Sequence, residues 1–315
     1  MTEKARVLVT TPLPDGSETA LLQAGHEIVR AGGCTHADLV RLARDADAVV
    51  CTLSDRVDEQ VLEAGSGRLQ VVANVAVGYD NIDLGAASRL GISVCNTPGV
   101  LDEATADTAF LLLLAAARNA TDAARDLRAG RWTGWRLTGY LGQELTGRTL
   151  GLVGYGRIGT AMARRAAGFG LVARHHTRHD TGHPGWTGDL DEMVSEADFV
   201  SLHLPLTPET HHLFDEARFR RMKRSAVFVN TSRGAIVDEG ALAEALHSGT
   251  IFAAELDVYE HEPRVHPLLL TAPRVVLLPH IGSATEQTRR RMAELACQAA
   301  VDVLAGRRPA NLVPG

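Results

Sequence analysis

The 315-residue sequence has few cysteines, no long apolar run and no excess of basic residues. No two cysteines form a CxxC pair, and none has a histidine nearby at zinc-ligand spacing, which predicts reduced thiols rather than a disulfide framework or a zinc site. The four cysteines are Cys34, Cys51, Cys95 and Cys297. Because reduced thiols are typical of the cytosol, the sequence predicts a cytoplasmic protein, and it offers no metal-ligand motif.

The charge and hydropathy of the chain argue against two classes of partner. The formal net charge is -6, which disfavours nonspecific attraction to nucleic acid or to an anionic membrane. The longest candidate for a membrane span, residues 109–117, is far shorter than the ~20 apolar residues that a helix needs to cross a bilayer. The first ten residues, MTEKARVLVT, enter a strand pattern without the basic region and apolar core of a secretory signal. We therefore expect neither nucleic acid nor membrane as a partner.

The sequence does contain a regular alternation of short apolar runs and helical patterns. Its length favours two domains over one core. Apolar runs occur at 7–9, 28–29, 48–50, 71–72 and 92–94, and six more follow: one before Gly154, one near 171, and those at 199–202, 226–229, 252–254 and 275–278. Strands that alternate with helices predict a parallel sheet covered on both faces. We therefore predict an α/β fold with two doubly wound parallel-sheet domains.

A glycine turn between a strand and a helix is the clearest local motif. The apolar run TLGLV leads into Gly154, Gly156 and Gly159, and the helical pattern AMARRAAGF follows. In a dinucleotide-binding unit the first glycine permits the tight turn, the second lets the backbone approach a pyrophosphate, and the third lets the helix pack against the strand. The N-terminus of the helix then offers free N–H groups to the phosphates. The motif predicts that the chain binds a dinucleotide.

Two earlier segments are candidates for ligand contacts. The loop 74–83 follows a strand, and Val77 and Gly78 could present backbone N–H groups to a small anion. A turn that leads to a helix cap at Asp83 is the structural alternative. Thr105 lies in the first turn of a long helix that begins near Asp102, where its hydroxyl could reach a ligand or could serve only as a cap or surface group.

Three polar residues follow successive strands of the second half. Arg233, Glu262 and His280 each lie just after a predicted strand, and in a parallel sheet such segments gather at the edge that also carries the glycine turn. Taken singly, each has a plain alternative: a solvated arginine, a loop glutamate before a proline, and one of 13 histidines. Their shared edge favours a common function.

The chemistry of the three residues is complementary. A guanidinium can hold the carboxylate of a 2-oxo acid through two hydrogen bonds and polarise its carbonyl. A carboxylate beside an imidazole favours the protonated form, which keeps a proton ready near neutral pH. The protonated imidazole can then donate to a carbonyl oxygen while hydride adds to the carbon.

Six ordered segments resemble the D-isomer-specific 2-hydroxyacid dehydrogenase family. The segments are VGYDNID at 77–83, NTPGVLDEATAD at 96–107, GLVGYGRIG at 151–159, NTSRGAIVDEGAL at 230–242, LDVYEHEP at 256–263 and LPHIGSAT at 278–285. The resemblance implies a Rossmann cofactor domain, 99–286, inserted into a flavodoxin-like substrate domain formed by 1–98 and 287–315. It also implies a homodimer whose interface includes the long helix, with Trp132 and Trp135 near the seam.

The resemblance also assigns residues to roles. It implies that Arg233, Glu262 and His280 are the catalytic residues, and that Val77 and Gly78 bind the substrate carboxylate through backbone amides. It implies that the cofactor is lined by Gly156, Arg157, Ile158, Leu204, Pro205, Thr231, Asp257 and Gly282.

The residue at the end of the second cofactor-domain strand bears on the choice between NAD(H) and NADP(H). An enzyme that prefers NAD typically has an acidic residue there, which accepts hydrogen bonds from the ribose and repels a 2′-phosphate. This sequence has Thr177 at that position and Arg178 beside it, which favours NADP(H) and leaves NAD(H) possible. The alternative is that the basic residues face solvent and Asp180 contacts the ribose.

The segments 73–80 and 132–135 most resemble glyoxylate and hydroxypyruvate reductases. Residue 75 is valine where phosphite dehydrogenase would place a lysine, which argues against that activity. We therefore expect reduction of a small 2-oxo acid to the D-2-hydroxy acid. Two alternatives are oxidation of the kind catalysed by D-3-phosphoglycerate dehydrogenase, and a non-catalytic, cofactor-sensing protein similar to the corepressors of this fold.

Overall fold

The computed structural model describes residues 4–314, and the chain divides into two compact units. The first unit comprises the residues up to Leu101 and those from Ala284 onward, and the second comprises Asp102–Ser283. Each unit contains one parallel sheet, of five strands in the first and seven in the second. The predicted α/β class with two parallel sheets is confirmed.

The sheet of the first unit has the strand order β2-β1-β3-β4-β5, which is the flavodoxin order. Its strands are β1 Arg6–Val9, β2 Glu27–Arg30, β3 Ala48–Cys51, β4 Val71–Asn74 and β5 Ser93–Cys95. Every residue of β3 and β4 is buried, as expected for central parallel strands that are covered on both faces.

Helices cover both faces of this first sheet. They are α1 Thr19–Gln23, α2 His36–Ala43, α3 Glu59–Ala64, α4 Leu84–Arg89 and α12 Glu286–Leu304, with labels that follow the order of the whole chain. One apolar cluster joins the sheet to α2, α3 and α4, and another joins it to α1 and α12. The side chain of Asp83 caps α4 by accepting a hydrogen bond from the Ala86 N–H at 2.9 Å. The helix cap predicted at Asp83 is therefore present.

The sheet of the second unit has the order β12-β11-β10-β9-β6-β7-β8, in which the chain reverses direction across the sheet between β6 and β9. Its strands are β6 Thr149–Val153, β7 Val172–His176, β8 Trp186–Thr187, β9 Phe199–Leu202, β10 Val227–Asn230, β11 Ala253–Leu256 and β12 Val275–Leu277. The prediction of six strands missed β8. That strand has two residues and no apolar run, so no periodic pattern reveals it.

The helices of the second unit pack on both sides of its sheet. They are α5 Asp102–Ala117, α6 Ala120–Arg128, α7 Arg157–Gly168, α8 Leu190–Glu196, α9 Glu216–Arg221, α10 Glu239–His247 and α11 Pro267–Thr271, with a 3-10 turn at Gly234–Ile236. Residues Ala109, Leu112, Leu113 and Ala116 of α5 are buried in the cluster that contains β6 and β10. Within the described chain, no helix is both long enough and apolar enough to span a bilayer.

Candidate active site

The turn after β6 has the geometry that its glycines predict. Gly154 has φ 98°, and a Cβ there would lie 2.3 Å from the carbonyl oxygen of His203. A Cβ on Gly159 would lie 2.4 Å from the carbonyl oxygen of Gly154. A side chain at either position would therefore displace backbone, which explains why both are glycine.

The segment around Gly156 fits the phosphates of a dinucleotide. A Cβ on Gly156 would meet no heavy atom within 4 Å, so the backbone borders open space there. Gly156 is also the N-cap of α7 and has no side chain to bind the first N–H groups, which remain available to an anion. At the end of β10, the buried Thr231 Oγ1 has no hydrogen-bond partner among residues 4–314. A bound ligand that offers a polar atom would satisfy it.

The end of β7 adjoins this turn. The N–H of Gly154 donates to the carbonyl of His176, the last residue of β7, at 2.9 Å. Thr177 and Arg178 follow His176 and therefore leave the strand beside the glycine turn. The hydroxyl of Thr177 donates to the carbonyl of His179 at 2.7 Å. The carboxylate of Asp180 accepts from the Gly182 N–H at 2.8 Å and so serves a local turn.

A second carboxylate lies close to Arg178. The pKa of Glu209 is lowered, first by a hydrogen bond from Thr207 and to a smaller extent by the charge of Arg178. Arg178 itself is exposed at the surface of the second unit. The charge of Glu209 therefore partly offsets the positive field of Arg178.

The backbone of Arg233 is held by Asn230, the last residue of β10. The Asn230 amide donates from Nδ2 to the Arg233 carbonyl at 2.9 Å, and its Oδ1 accepts from the Ser232 N–H at 3.0 Å. The guanidinium Nη1 of Arg233 donates to the Ser232 carbonyl at 2.8 Å. Since Asn230 is fully buried, the position from which the Arg233 side chain starts is well determined.

His280 and Glu262 form a hydrogen-bonded pair. The Nδ1 atom of His280 lies 2.9 Å from Oε2 and 3.2 Å from Oε1 of Glu262. Their side chains are 25% and 31% exposed, so both groups remain accessible from solvent. His280 has φ 55°, an uncommon backbone conformation for a residue other than glycine and one that is enriched at functional sites.

Arg233 belongs to the same electrostatic cluster. Desolvation would raise the pKa of Glu262, but the hydrogen bonds from His280 and from the Tyr259 N–H outweigh it, and the charges of His280 and Arg233 act in the same direction. The net result is that the pKa of Glu262 is lowered. The carboxylate is therefore ionised at neutral pH, with an imidazole in contact and a guanidinium nearby.

Asp257 fixes the loop that carries His280. Its Oδ1 and Oδ2 accept from the Ile281 and Gly282 N–H groups, each at 2.7 Å. Burial raises the pKa of Asp257, and the two N–H donors oppose that effect. A Cβ on Gly282 would lie 3.1 Å from Asp257 Oδ2 and 3.5 Å from the methyl carbon of Thr105, so this loop is tightly packed.

The other residues that the resemblance assigns to the cofactor are spread along the same edge. The Leu204 N–H donates to the Ser232 hydroxyl at 3.2 Å, and Pro205 is exposed beside it. Ile158 is half-buried in the first turn of α7. The guanidinium Nε of Arg157 lies 3.4 Å from the carboxylate of Asp102, so this side chain already has an acidic partner.

The loop after β4 in the first unit contains Val77 and Gly78. Asn74 Nδ2 donates to the Gly78 carbonyl at 2.9 Å, and Asn96 Nδ2 donates to the Val77 carbonyl at 2.7 Å. A trans peptide points its N–H away from its carbonyl, so the Gly78 N–H lies on the side opposite Asn96. Neither the Val77 N–H nor the Gly78 N–H donates to a protein acceptor within residues 4–314.

Comparisons with known proteins agree on a single family. The family model "D-isomer specific 2-hydroxyacid dehydrogenase, NAD binding domain" matches residues 110–282. A glyoxylate reductase of Thermococcus litoralis is 46% identical over 286 residues, which are 87% of this chain and 86% of that protein. The crystal structure of the TT0316 protein of Thermus thermophilus superposes with a TM-score of 0.92, at 45% identity and over 98% of this chain and 100% of that one.

This chain belongs to the D-isomer-specific 2-hydroxyacid dehydrogenase family.

The dehydrogenase also resembles a solved complex with a cofactor. The NADPH-dependent glyoxylate/hydroxypyruvate reductase of Sinorhizobium meliloti, in complex with NADP and malonate, superposes with a TM-score of 0.88 at 34% identity, over 99% of this chain and 97% of that one. Family membership makes this chain an oxidoreductase with a Rossmann domain for a nicotinamide cofactor. The open backbone at Gly156 and the unsatisfied Thr231 hydroxyl agree with that cofactor class.

Four residues that sequence reasoning missed hold the loops of the dehydrogenase in place. Asn230 and Ser232 hold the backbone from which the Arg233 side chain extends, and the Ser232 hydroxyl also donates to the Leu202 carbonyl at 2.6 Å. The buried Glu239 accepts from the Glu260 N–H at 2.7 Å and from the His266 N–H at 3.1 Å, which fixes the loop that carries Glu262. Gly234 packs so closely that a Cβ would lie 1.8 Å from the Tyr259 carbonyl carbon.

A sequence signal existed for only part of this set. A glycine directly after an arginine at a strand end suggests a close approach of backbone, so Gly234 could have been singled out. Asn230, Ser232 and Glu239 are polar residues in or beside buried segments, and which N–H or carbonyl group each one meets depends on neighbouring loops. Only the folded chain brings those groups together.

Proposed function

We propose that this dehydrogenase reduces small 2-oxo acids, glyoxylate and hydroxypyruvate first, to D-2-hydroxy acids, with NADPH preferred over NADH. The proposal rests mainly on the 2.9 Å contact between His280 and Glu262 in the electrostatic neighbourhood of Arg233. That set combines a proton donor, a group that holds it and a carboxylate-binding cation at one edge of the sheet. The curated glyoxylate reductase that is 46% identical supports the choice of substrate.

In the proposed mechanism His280 is the general acid. A nicotinamide bound at this edge of the sheet would supply the hydride. Because Glu262 contacts Nδ1, the Nε2–H of the protonated imidazole remains available to the carbonyl oxygen of the substrate. Glu262 orients the ring and stabilises its positive charge.

Each unit offers one candidate set of donors for the substrate carboxylate. Arg233 offers a planar pair of N–H donors that suits a carboxylate and also polarises the adjacent carbonyl. The Val77 and Gly78 N–H groups are the second set, and they support this role because they donate to no protein acceptor within residues 4–314. A substrate with a short carbon chain needs no further charged contact.

The preference for NADPH rests on the end of β7. Thr177 replaces the acidic residue that would repel a 2′-phosphate, and the Asp180 carboxylate is engaged by Gly182. The exposed Arg178 can pair with the phosphate. Glu209 opposes the preference because its carboxylate lies near Arg178.

Steady-state oxidation of NADPH and of NADH with a panel of 2-oxo acids tests the proposal. We expect the highest kcat/KM with glyoxylate or hydroxypyruvate and NADPH, and a product of D configuration where the product is chiral. An L product, or turnover only with phosphorylated substrates, would contradict it.

A matched pair of variants separates cofactor choice from catalysis. Arg178→Gln should raise the KM for NADPH and leave the KM for NADH unchanged, because only NADPH carries the 2′-phosphate. Glu209→Gln should act in the opposite direction by removing the competing charge. Equal effects of Arg178→Gln on both cofactors would remove Arg178 from phosphate recognition.

We also propose that the dehydrogenase is a homodimer. The segment after α6 exposes large apolar side chains in the single chain, with Trp132 at 52% and Trp135 at 81%. Aromatic side chains of this kind are typical of subunit interfaces. Light scattering on the purified protein should give twice the 33.7 kDa chain mass, and Trp135→Ser should shift the mass toward the monomer.

A further inference from the structure

A second cluster of metal-binding side chains lies beside the proposed catalytic set. His211 and His212 follow β9, and Glu260 follows β11. One ligand atom from each of the three lies within 4.8 Å of the others. This is the arrangement of two imidazoles and one carboxylate that first-row transition metals favour.

The backbone places the two imidazoles on the same side. In an extended strand, consecutive side chains point in opposite directions. His212 instead has φ 48°, and the rings of His211 and His212 stack with centroids 4.1 Å apart at an interplanar angle of 27°. The His212 N–H donates to the Ala235 carbonyl at 2.9 Å, which anchors this turn in the second unit.

The carboxylate is already in position. His212 Nε2 lies 2.8 Å from Glu260 Oε1, and the Glu260 N–H is held by the buried Glu239 at 2.7 Å. Two donors on one tetrahedral zinc ion lie about 3.4 Å apart, given metal–ligand distances of about 2.1 Å. Side-chain movements of about 1 Å would therefore bring the three atoms around one ion.

We propose that His211, His212 and Glu260 bind one divalent transition-metal ion, with Zn²⁺, Ni²⁺, Cu²⁺ and Co²⁺ as the class of ligand and water at the remaining positions. Mg²⁺ and Ca²⁺ prefer oxygen ligands and are excluded by the two imidazoles. The ion would join the loop after β9 to the loop after β11. Since Glu260 is two residues from Glu262, occupancy would restrict the loop that holds the proposed proton donor.

Calorimetric titration of the tag-free, chelator-treated protein with ZnCl₂ tests the site directly. We expect one equivalent of Zn²⁺ per chain, and a melting temperature that rises with Zn²⁺ concentration because the ion binds the folded state. Binding of Co²⁺ should give a visible absorption band that is bleached by Zn²⁺. MgCl₂ should neither bind there nor compete.

Single-residue variants identify the ligands. His211→Ala and Glu260→Gln should each weaken Zn²⁺ binding by at least roughly 10- to 100-fold, because losing a ligand should cost no less than losing a group that only orients a ligand. The matched control is His36→Ala in the first unit, where an imidazole lies 3.0 Å from the carboxylate of Asp58 but belongs to no group of three metal ligands among residues 4–314. That variant should bind Zn²⁺ as the native protein does.

The outcomes are decisive in either direction. Because His211 is exposed, its replacement should leave the metal-free melting temperature unchanged, so a loss of binding would not reflect misfolding. Unchanged Zn²⁺ affinity in His211→Ala, an equal loss in His36→Ala, or the absence of binding up to millimolar Zn²⁺ would overturn the assignment. None of these readouts depends on the proposed reductase activity.

Discussion

The loop after β4 in the first unit and the loop after β10 in the second are built on the same arrangement but present different chemistry. Each strand ends in a fully buried asparagine, Asn74 or Asn230, whose Nδ2 donates at 2.9 Å to a backbone carbonyl of the following loop. The first loop leaves the backbone N–H groups of Val77 and Gly78 available. The second presents the guanidinium of Arg233. A buried strand-end amide therefore fixes where a loop goes, and the loop residues decide what it offers to a ligand.

The largest predicted effect concerns the side-chain chemistry of the second unit. His280→Ala should lower kcat by about 10²- to 10⁴-fold, the usual contribution of a general acid, while NADPH binding stays close to native. Val77→Ala is the control from the first unit, because only the backbone of that residue is proposed to act. Steady-state kinetics and fluorescence titration with NADPH measure the two quantities. Near-native turnover of His280→Ala would remove His280 from the mechanism.

The next effect separates the charge of Arg233 from its shape. Arg233→Lys keeps the positive charge but loses the planar pair of donors. We expect kcat/KM for glyoxylate to fall roughly 10- to 100-fold, as for the loss of one hydrogen bond to a charged group. Arg44→Lys, at an exposed site of the first unit, should leave kcat/KM for glyoxylate unchanged. If Arg233→Lys also leaves kcat/KM for glyoxylate unchanged, the guanidinium of Arg233 does not hold the substrate.

A matched pair of variants tests the shared asparagine arrangement directly. Asn230→Ala and Asn74→Ala should each cost about 1–3 kcal/mol of folding stability, because each leaves a half-buried carbonyl without its side-chain donor. Asn230→Ala should also lower kcat, since Arg233 loses its anchor, whereas Asn74→Ala should mainly raise KM. Thermal unfolding and steady-state kinetics on both variants provide the measurements. Identical kinetic changes in the two would contradict the distinction between the loops.

The last predicted effect is on stability alone and concerns a buried carboxyl group that holds no loop. Glu255 lies in the interior of β11 with neither oxygen hydrogen-bonded among residues 4–314, and the nearby backbone of Ala116 only partly offsets the desolvation of its carboxyl group. Desolvation raises the pKa of Glu255 well above its ordinary value. The folded state therefore keeps a proton that the unfolded state releases, and stability falls as pH rises above the ordinary pKa of a glutamate.

Glu255→Gln should remove this pH dependence. Its stabilisation relative to the native protein should be near zero at acidic pH and grow by at most about 1.4 kcal/mol per pH unit as pH rises toward the folded-state pKa. Melting temperatures at pH 5 and pH 8 measure the difference. Glu244→Gln, at an exposed position of α10, is the control. A gain for Glu255→Gln that does not change with pH would show that the carboxyl group is not the cause.

Much of the fold could be predicted because its signals are local. Apolar runs such as those of β3 and β10 marked the strands, and the glycines of the turn after β6 marked the helix that follows. The general rule that ligands bind at the carboxyl ends of parallel strands also predicts that Arg233, Glu262 and His280 lie at one edge of the sheet. The strand β8 escaped prediction because two residues cannot show a period.

The supporting polar contacts could not be predicted in the same way. Asn230, Ser232 and Glu239 act through backbone groups that lie on other loops, so their partners depend on the register of several strands. The same holds for the candidate metal site, since Glu260 and His212 are 48 residues apart in the chain. No short sequence motif identifies the polar contacts of these loops or the contact between His212 and Glu260.

The sequence by itself determined the alternation of strands and helices, the glycine turn and the types of residue at each strand end. Those features follow from backbone periodicity and steric limits that act over a few neighbouring residues. The tertiary structure alone decided which side chains meet, that Asp257 binds the loop of His280, and that Glu255 is left without a hydrogen-bond partner among residues 4–314. The reason is that a hydrogen bond requires its partners within about 3 Å, and only the crossing of distant strands sets such distances.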